Sequence, residues 1–178
     1  MTEHPEVGIC GLSCRLCPRY STGCRCRSRE HKEVRWCPFI PCAEGKCVEF
    51  CWNCKENNSC ARWRRKRAFG RDHDSFKCYQ KLEDDIAFVR ENGLCTFIEV
   101  LNRRGWLLDE MLKEFDEGKS RSFYCIAATV FGLQELEDAI KRSQEISSGL
   151  DVKVKSEALR SILEETAKRK NYLLKPRK

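Results

Sequence analysis

No stretch of the 178-residue sequence stays apolar for long enough to cross a bilayer. The opening residues, MTEHPEVGIC, lack the basic start and the apolar centre of a secretory signal. The second half has no period-two alternation, which argues against a sheet domain there. The chain also lacks a glycine-rich phosphate loop, a paired-carboxylate signature and a Ser/His/Asp set. It has only 3 histidines, of which His4 and His73 stand in no catalytic context. These absences turn the reading away from membrane proteins, secreted proteins and the commoner enzymes. They leave a cytoplasmic address as the expectation, and in that compartment thiols stay reduced.

Cysteine is what the chain has in excess, with 14 in all. Eleven fall between Cys10 and Cys60: Cys10, Cys14, Cys17, Cys24, Cys26, Cys37, Cys42, Cys47, Cys51, Cys54 and Cys60. Short-spaced pairs in a reducing compartment read as metal ligands rather than disulfides. A disulfide framework is the alternative, as in the disulfide-rich cytosolic proteins of hyperthermophiles. Cys78, Cys95 and Cys125 stand alone in apolar, helix-like contexts and are expected to behave as small core residues. Lys119 and Arg121 precede Cys125 and could activate it as a nucleophile. The preferred reading keeps both cations in a loop and the thiol inside.

Charge is as uneven as cysteine. Residues 1–72 carry 15 Lys and Arg against 8 Asp and Glu, whereas residues 73–178 carry 19 of each. A zinc ion held by four thiolates has a net charge of about −2, so part of the basic excess would offset bound sulfur. Net charge alone is therefore a weak argument for nucleic acid.

Up to residue 61 the sequence shows little helical or strand period, and a segment so poor in apolar surface needs a staple to stay ordered. From about Phe76 the pattern becomes helical. Leu82, Ile86 and Val89 form one stripe, and Asn92-Gly93 stops it. Thr96 and Glu99 predict a capping box for the next helix. Leu94, Phe97, Ile98 and Leu101 continue to a break at Gly105, after which Leu108, Met111, Leu112 and Phe115 form another stripe. FYCIAATVF, residues 123–131, is apolar nearly all round and predicts the buried central helix. Leu133, Leu136 and Ile140 follow Gly132, SSGLD is a loop, Leu159, Ile162, Leu163 and Thr166 mark a last helix, and LLKPRK reads as a frayed tail. The expected architecture is a small cysteine-rich, metal-stapled N-terminal module with little regular structure over residues 1–61. A basic linker follows over 62–75, and then an all-α C-terminal domain of four to six helices over 76–178.

CGLSCRLCPRY, GCRCRS, WCPFIPCAEGKCVEFCWNCKENNSC and GKSRSFYCIAA together resemble the family catalogued as domain of unknown function 3795. The resemblance covers most of the chain. It implies a cysteine-rich, zinc-binding protein of the bacterial and archaeal kind, some members having a helical tail like this one, and supplies no biological role. One element departs from the family pattern: its C-x-G-C is shortened here to Cys24-Arg25-Cys26. In an extended C-x-C the two sulfurs share a face but stand apart, so chelating one ion needs a bent backbone. Cys47 also falls outside the expected ligands.

Zinc takes four nitrogen or sulfur ligands in a tetrahedron, and two C-x2-C units are present, Cys14 with Cys17 and Cys51 with Cys54. The favoured partition gives the first unit Cys10 and either Cys26 or Cys24. It gives the second Cys60 and either Cys42 or Cys37, for about two zinc ions per chain. A cross-braced pairing is equally allowed, and His31 could replace a sulfur, although it reads as a solvated side chain. The spacing of Cys10, Cys14 and Cys17 is also that of radical-SAM enzymes. Their barrel needs about 200–250 residues and alternating strands, which this chain lacks. A closed 4Fe-4S cluster on four cysteines is the alternative cofactor, with a redox, sensing or enzymatic role.

The basic run RWRRKRAFGR sets Arg62, Arg64, Arg65, Lys66, Arg67 and Arg71 around Trp63 and Phe69. Cations beside a stacking ring suit RNA or another single-stranded nucleic acid, and a protein partner is the competing reading. Alternatively, Trp63 could join Trp36 and Trp52 in shielding the metal from water. The function expected from sequence is a metal-binding adaptor or binding protein rather than an enzyme.

Overall fold

Helices carry nearly all the regular structure in the computed structural model, which describes residues 3–21, 37–75 and 77–178. Among the described residues there are seven α-helices and no strand, only an isolated bridge between Val7 and Ser13. The helices are α1 (Phe39–Gly45), α2 (Ala61–Asp72), α3 (Leu82–Asn92), α4 (Leu94–Glu114), α5 (Arg121–Val130), α6 (Leu133–Ser147) and α7 (Val152–Lys170). Five of them, α3 to α7, lie in the all-α C-terminal region.

The apolar stripes read from the sequence become the faces that pack. On α4, Phe97, Leu101, Leu108 and Met111 are buried. On α6 and α7, Leu136, Ala139 and Ile140 share a cluster with Leu159, Ile162, Leu163 and Ala167. Helix α5 is the central one, with every residue from Tyr124 to Val130 buried. Its Ala127 and Ala128 have no exposure, so small side chains let neighbouring helices close on it. The one hydroxyl in this stretch besides Tyr124, that of Thr129, donates back to the carbonyl of Cys125 at 2.8 Å and buries no unmet donor. Asp151 caps α7 by accepting from the backbone N–H groups of Lys153 and Val154.

Three local expectations are overturned. Thr96 and Glu99 form no capping box, because α4 begins at Leu94 directly after Gly93. Gly105 does not break the helix; α4 runs through it to Glu114. A Cβ at Gly105 would stand 2.5 Å from Nε of Arg15, so the missing side chain makes room for Arg15 to cross the helix and pair with Asp109. The tail is not frayed. Asp74, whose carboxylate is 1% exposed, accepts from the Arg177 guanidinium at 2.9 Å, and the backbone N–H of Asp74 donates to the Arg177 carbonyl. Arg177 also donates to the carbonyl of Gly70 at 2.8 Å, and Gln80 donates to that of Leu173 at 2.9 Å.

The stretch expected as a linker is mostly α2, docked through Trp63, which is 1% exposed. The cysteine-rich segment also shares the helical core: Val7, Leu16 and Phe50 belong to the same cluster as Met111, Phe115 and Tyr124. A second cluster joins Ile9, Leu12, Phe39, Ile40 and Trp63 to Tyr79, Leu82 and Ile86, and Trp52 packs against both. Gly11, at φ 85°, lies beneath the Trp52 ring, where a Cβ would approach Cζ3 to 2.8 Å. That position needs glycine for both its backbone conformation and its space.

Burial opposes ionisation of Asp74, but the bonds from Arg177 and from the Tyr79 backbone outweigh it and hold its carboxyl below the ordinary range. A lowered folded-state value means that this stabilisation is complete above the unfolded value of about 3.9 and is lost as pH falls through the folded one. Arg177→Ala should therefore cost about 3 kcal/mol near neutral pH by leaving a buried carboxylate unpaired. The gap to the parent protein should narrow below about pH 4. Denaturant titrations of both proteins across that range check the expectation.

Candidate metal centre

Residues 51–54 make the tight turn that a C-x2-C pair requires. Cys51–Asn53 form a single 3-10 turn, and the N–H of Cys54 returns to the carbonyl of Cys51 at 3.3 Å. The following bend is closed by Asn57 N–H to the Cys54 carbonyl at 3.0 Å and by Cys60 N–H to the Glu56 carbonyl at 2.9 Å. Cys60 is then the N-cap of α2, its sulfur accepting from the Trp63 N–H at 3.5 Å. Cys42 comes from α1. These four cysteines line one cavity of about 30 Å³, walled by Phe39, Ala43, Val48 and Trp63. Four soft donors from three elements around an apolar-walled space suit zinc or another thiophilic ion.

The electrostatics point the same way. The Cys51 thiol is pushed up to about 12, first by burial and then by the neighbouring thiols of Cys10, Cys42, Cys60 and Cys54. At Cys51 burial opposes the thiolate unless a cation accompanies it. At the rim, Lys46 pairs with Glu56. Its ammonium is favoured chiefly by that carboxylate, against a desolvation cost, with further help from Cys54 and Cys42. Among the described residues, the trio of possible ligand atoms within 4.8 Å of one another is Glu3, His4 and Glu49. No three cysteine sulfurs of the described residues lie within that distance of one another. Binding one ion at about 2.3 Å would require four of them to draw closer together.

The first motif makes a matching turn over Cys14–Leu16, closed by Cys17 N–H to the Cys14 carbonyl at 3.0 Å. Cys14 and Cys17 are both buried. Cys10, however, is among the charges that act on Cys51, and Cys17 is the leading charge acting on Cys125. Nothing in the spacing foretold either neighbour. The two motifs are joined by the Cys51 N–H, which donates to the Ile9 carbonyl at 2.8 Å. Cys24, Cys26, His31 and Trp36 lie outside the described residues. Cys37 is half-buried against the Ile9 cluster, and Cys47 is exposed at φ 51°.

Of the isolated cysteines, Cys125 is buried and Cys78 half-buried, whereas Cys95 is exposed on α4 and is not a core residue. Burial pushes the thiols of Cys78 and Cys125 up to about 12 each. Arg121 only partly opposes this at Cys125, behind the like charge of Cys17, and the arrangement does not favour a nucleophile.

The basic run is divided by its helix. Arg62, Arg64 and Arg65 are exposed, while Arg67 is committed to both oxygens of Glu83. Lys66 lies over the Tyr79 ring at 3.8 Å. Trp63, expected as a stacking ring, faces inward over the cysteine cavity and is out of reach of any base. Of the two rings in the run, the one left at the surface is Phe69, 43% exposed and stacked on His73.

Compared with known proteins, the chain matches no family model, no curated protein and no solved structure. No helix among the described residues is long and apolar enough to cross a membrane.

The burial pattern sets an order of thiol reactivity. In native protein at pH 8, Cys47 and Cys95 should be alkylated at least about tenfold faster than Cys125, which should react only on unfolding. Timed alkylation read by peptide mass spectrometry checks this, and rapid labelling of Cys125 would contradict its place in the core.

Proposed function

We propose that the chain is a structural zinc protein whose helical scaffold presents a basic surface to an anionic partner. The observation that carries the reading is the convergence of Cys42, Cys51, Cys54 and Cys60 on one small cavity. The resemblance of the cysteine motifs to domain of unknown function 3795 supports it. So does the low apolar content of the first sixty residues, for which a metal is the natural staple. A second zinc is assigned to Cys14 and Cys17, completed from Cys24 and Cys26, since Cys10 acts on Cys51 instead. Zinc closed by four thiolates has no position for a water, so its contribution is cross-linking rather than catalysis.

The partner surface is the outer side of α2, where Arg62, Arg64 and Arg65 are exposed near Phe69. Exposed guanidinium groups with one accessible ring suit single-stranded RNA, and this feature favours RNA over a protein partner.

Anaerobically purified protein should be colourless and hold about two zinc ions per chain by elemental analysis, and Cys54→Ser should lose about one of them. Brown protein with about four iron atoms per chain would replace this reading with a 4Fe-4S cluster.

Affinity for a single-stranded RNA oligonucleotide should fall as salt rises. The Arg64→Gln, Arg65→Gln double variant should flatten the dependence of log K on log salt by about one for each phosphate contact removed. Salt-independent binding in fluorescence anisotropy would sink the RNA assignment.

A further inference from the structure

Between α3 and α4, next to the turn that begins with Cys14, is a cavity of about 160 Å³ unrelated to the cysteine centre. Its charged lining includes Asp85 and Arg104, and its apolar lining includes Phe88, Phe97 and Leu101. Ser13 Oγ donates to Asp85 Oδ2 at 2.7 Å. Arg104 Nη1 donates to the carbonyl of Thr129 at 3.1 Å, which fixes one edge of the guanidinium. Its Nε is buried and has no acceptor. Asp85 and Arg104 act on each other electrostatically, yet among the described residues they form no ion pair.

A half-buried acid and a half-buried base that face one space without meeting are an unusual arrangement, because direct pairing would relieve both. An acceptor seated in the cavity would satisfy the orphaned N–H, and a cation seated there would satisfy the carboxylate. A simple anion would confront Asp85, and a simple cation would confront Arg104. A ligand carrying both charges meets both groups. Phe88 and Phe97, with ring centroids 6.2 Å apart, supply an apolar wall for the rest of it. At the mouth, Lys81 and Asp84 pair with each other at 2.8 Å and add no uncompensated charge. Burial pushes the Asp85 carboxyl up to about 6, while Ser13 and Arg104 draw it down, so ionising this group depends on what occupies the cavity.

We propose that this cavity binds a free α-amino acid with an apolar side chain, its carboxylate on Arg104, its ammonium on Asp85 and its side chain against Phe88 and Phe97. The size of the cavity suits a molecule of that class, and the site does not depend on the zinc reading.

Isothermal titration with L-leucine of the 178-residue protein as purified tests it, alongside isocaproate, which lacks the ammonium, and isopentylamine, which lacks the carboxylate. Leucine should bind at least about tenfold more tightly than either analogue, the discrimination expected when a buried charge is left unpaired. Asp85→Asn should abolish the preference over isocaproate, and Arg104→Gln the preference over isopentylamine. The analogue series uses the unchanged chain, so it remains decisive even if a variant fails to fold. No heat with leucine, phenylalanine or glycine up to about 10 mM would overturn the proposal and leave the cavity to water. Equal affinity for leucine and both analogues would overturn it as well.

Discussion

The contact between Gly11 and the Trp52 ring is the joint on which the cysteine-rich part of the molecule depends. It presses the CGLSC turn against the CWNC turn, and the backbone bond from Cys51 to Ile9 closes the same junction. Trp52 stacks on Phe50, which is wholly buried in the helical core. Two segments with few apolar residues thus share a core with helices that have many. A segment of this composition would not offset its own chain entropy. Docked on α4 and α5, it borrows their buried surface.

This junction also explains why charged residues of the cysteine motif reach across the fold. Arg15, between Cys14 and Cys17, lies along α4 only because residue 105 is glycine, and it ends at Asp109. Ser13 reaches Asp85 on α3. The C-terminal tail performs the same service from the other side, with Arg177 gathering Gly70 and Asp74 behind α2. The thiol centre, the basic helix and the cavity at Asp85 are therefore held on one continuous frame.

Around Cys51 the frame concentrates thiols where water is scarce. Beside Phe39 and Trp63, burial of Cys51 opposes its thiolate unless a cation is present. The outer surface of α2 keeps Arg64 and Arg65 in solvent, while Arg62 donates to the Pro38 carbonyl at 2.7 Å beside the cavity. The same helix thus serves the interior with Trp63 and its capping Cys60 and the exterior with Arg64 and Arg65.

Much of the helical region was legible from apolar period alone. Leu82, Ile86 and Val89 on α3 and the continuous run of α5 report burial directly, because a helix that must hide one face, or all faces, writes that need into its residues. Cysteine spacing likewise identifies C-x2-C turns, which are local geometry. What the sequence could not disclose was set by contacts between distant residues. Gly105 reads as a breaker until Arg15 is seen against it. LLKPRK reads as a loose end until Asp74 is seen to hold it. Trp63 reads as either a binding ring or a shield for the sulfurs until its helix is seen to turn it inward. The grouping of Cys10 with Cys51, and the opposition of Asp85 and Arg104 across one cavity, have no periodic or spaced signature at all. By itself the sequence determined which residues must be buried and which turns can form, since those are properties of near neighbours. Which sulfurs, charges and rings meet was decided only by tertiary packing, because that depends on how the faces of separate helices close on one another.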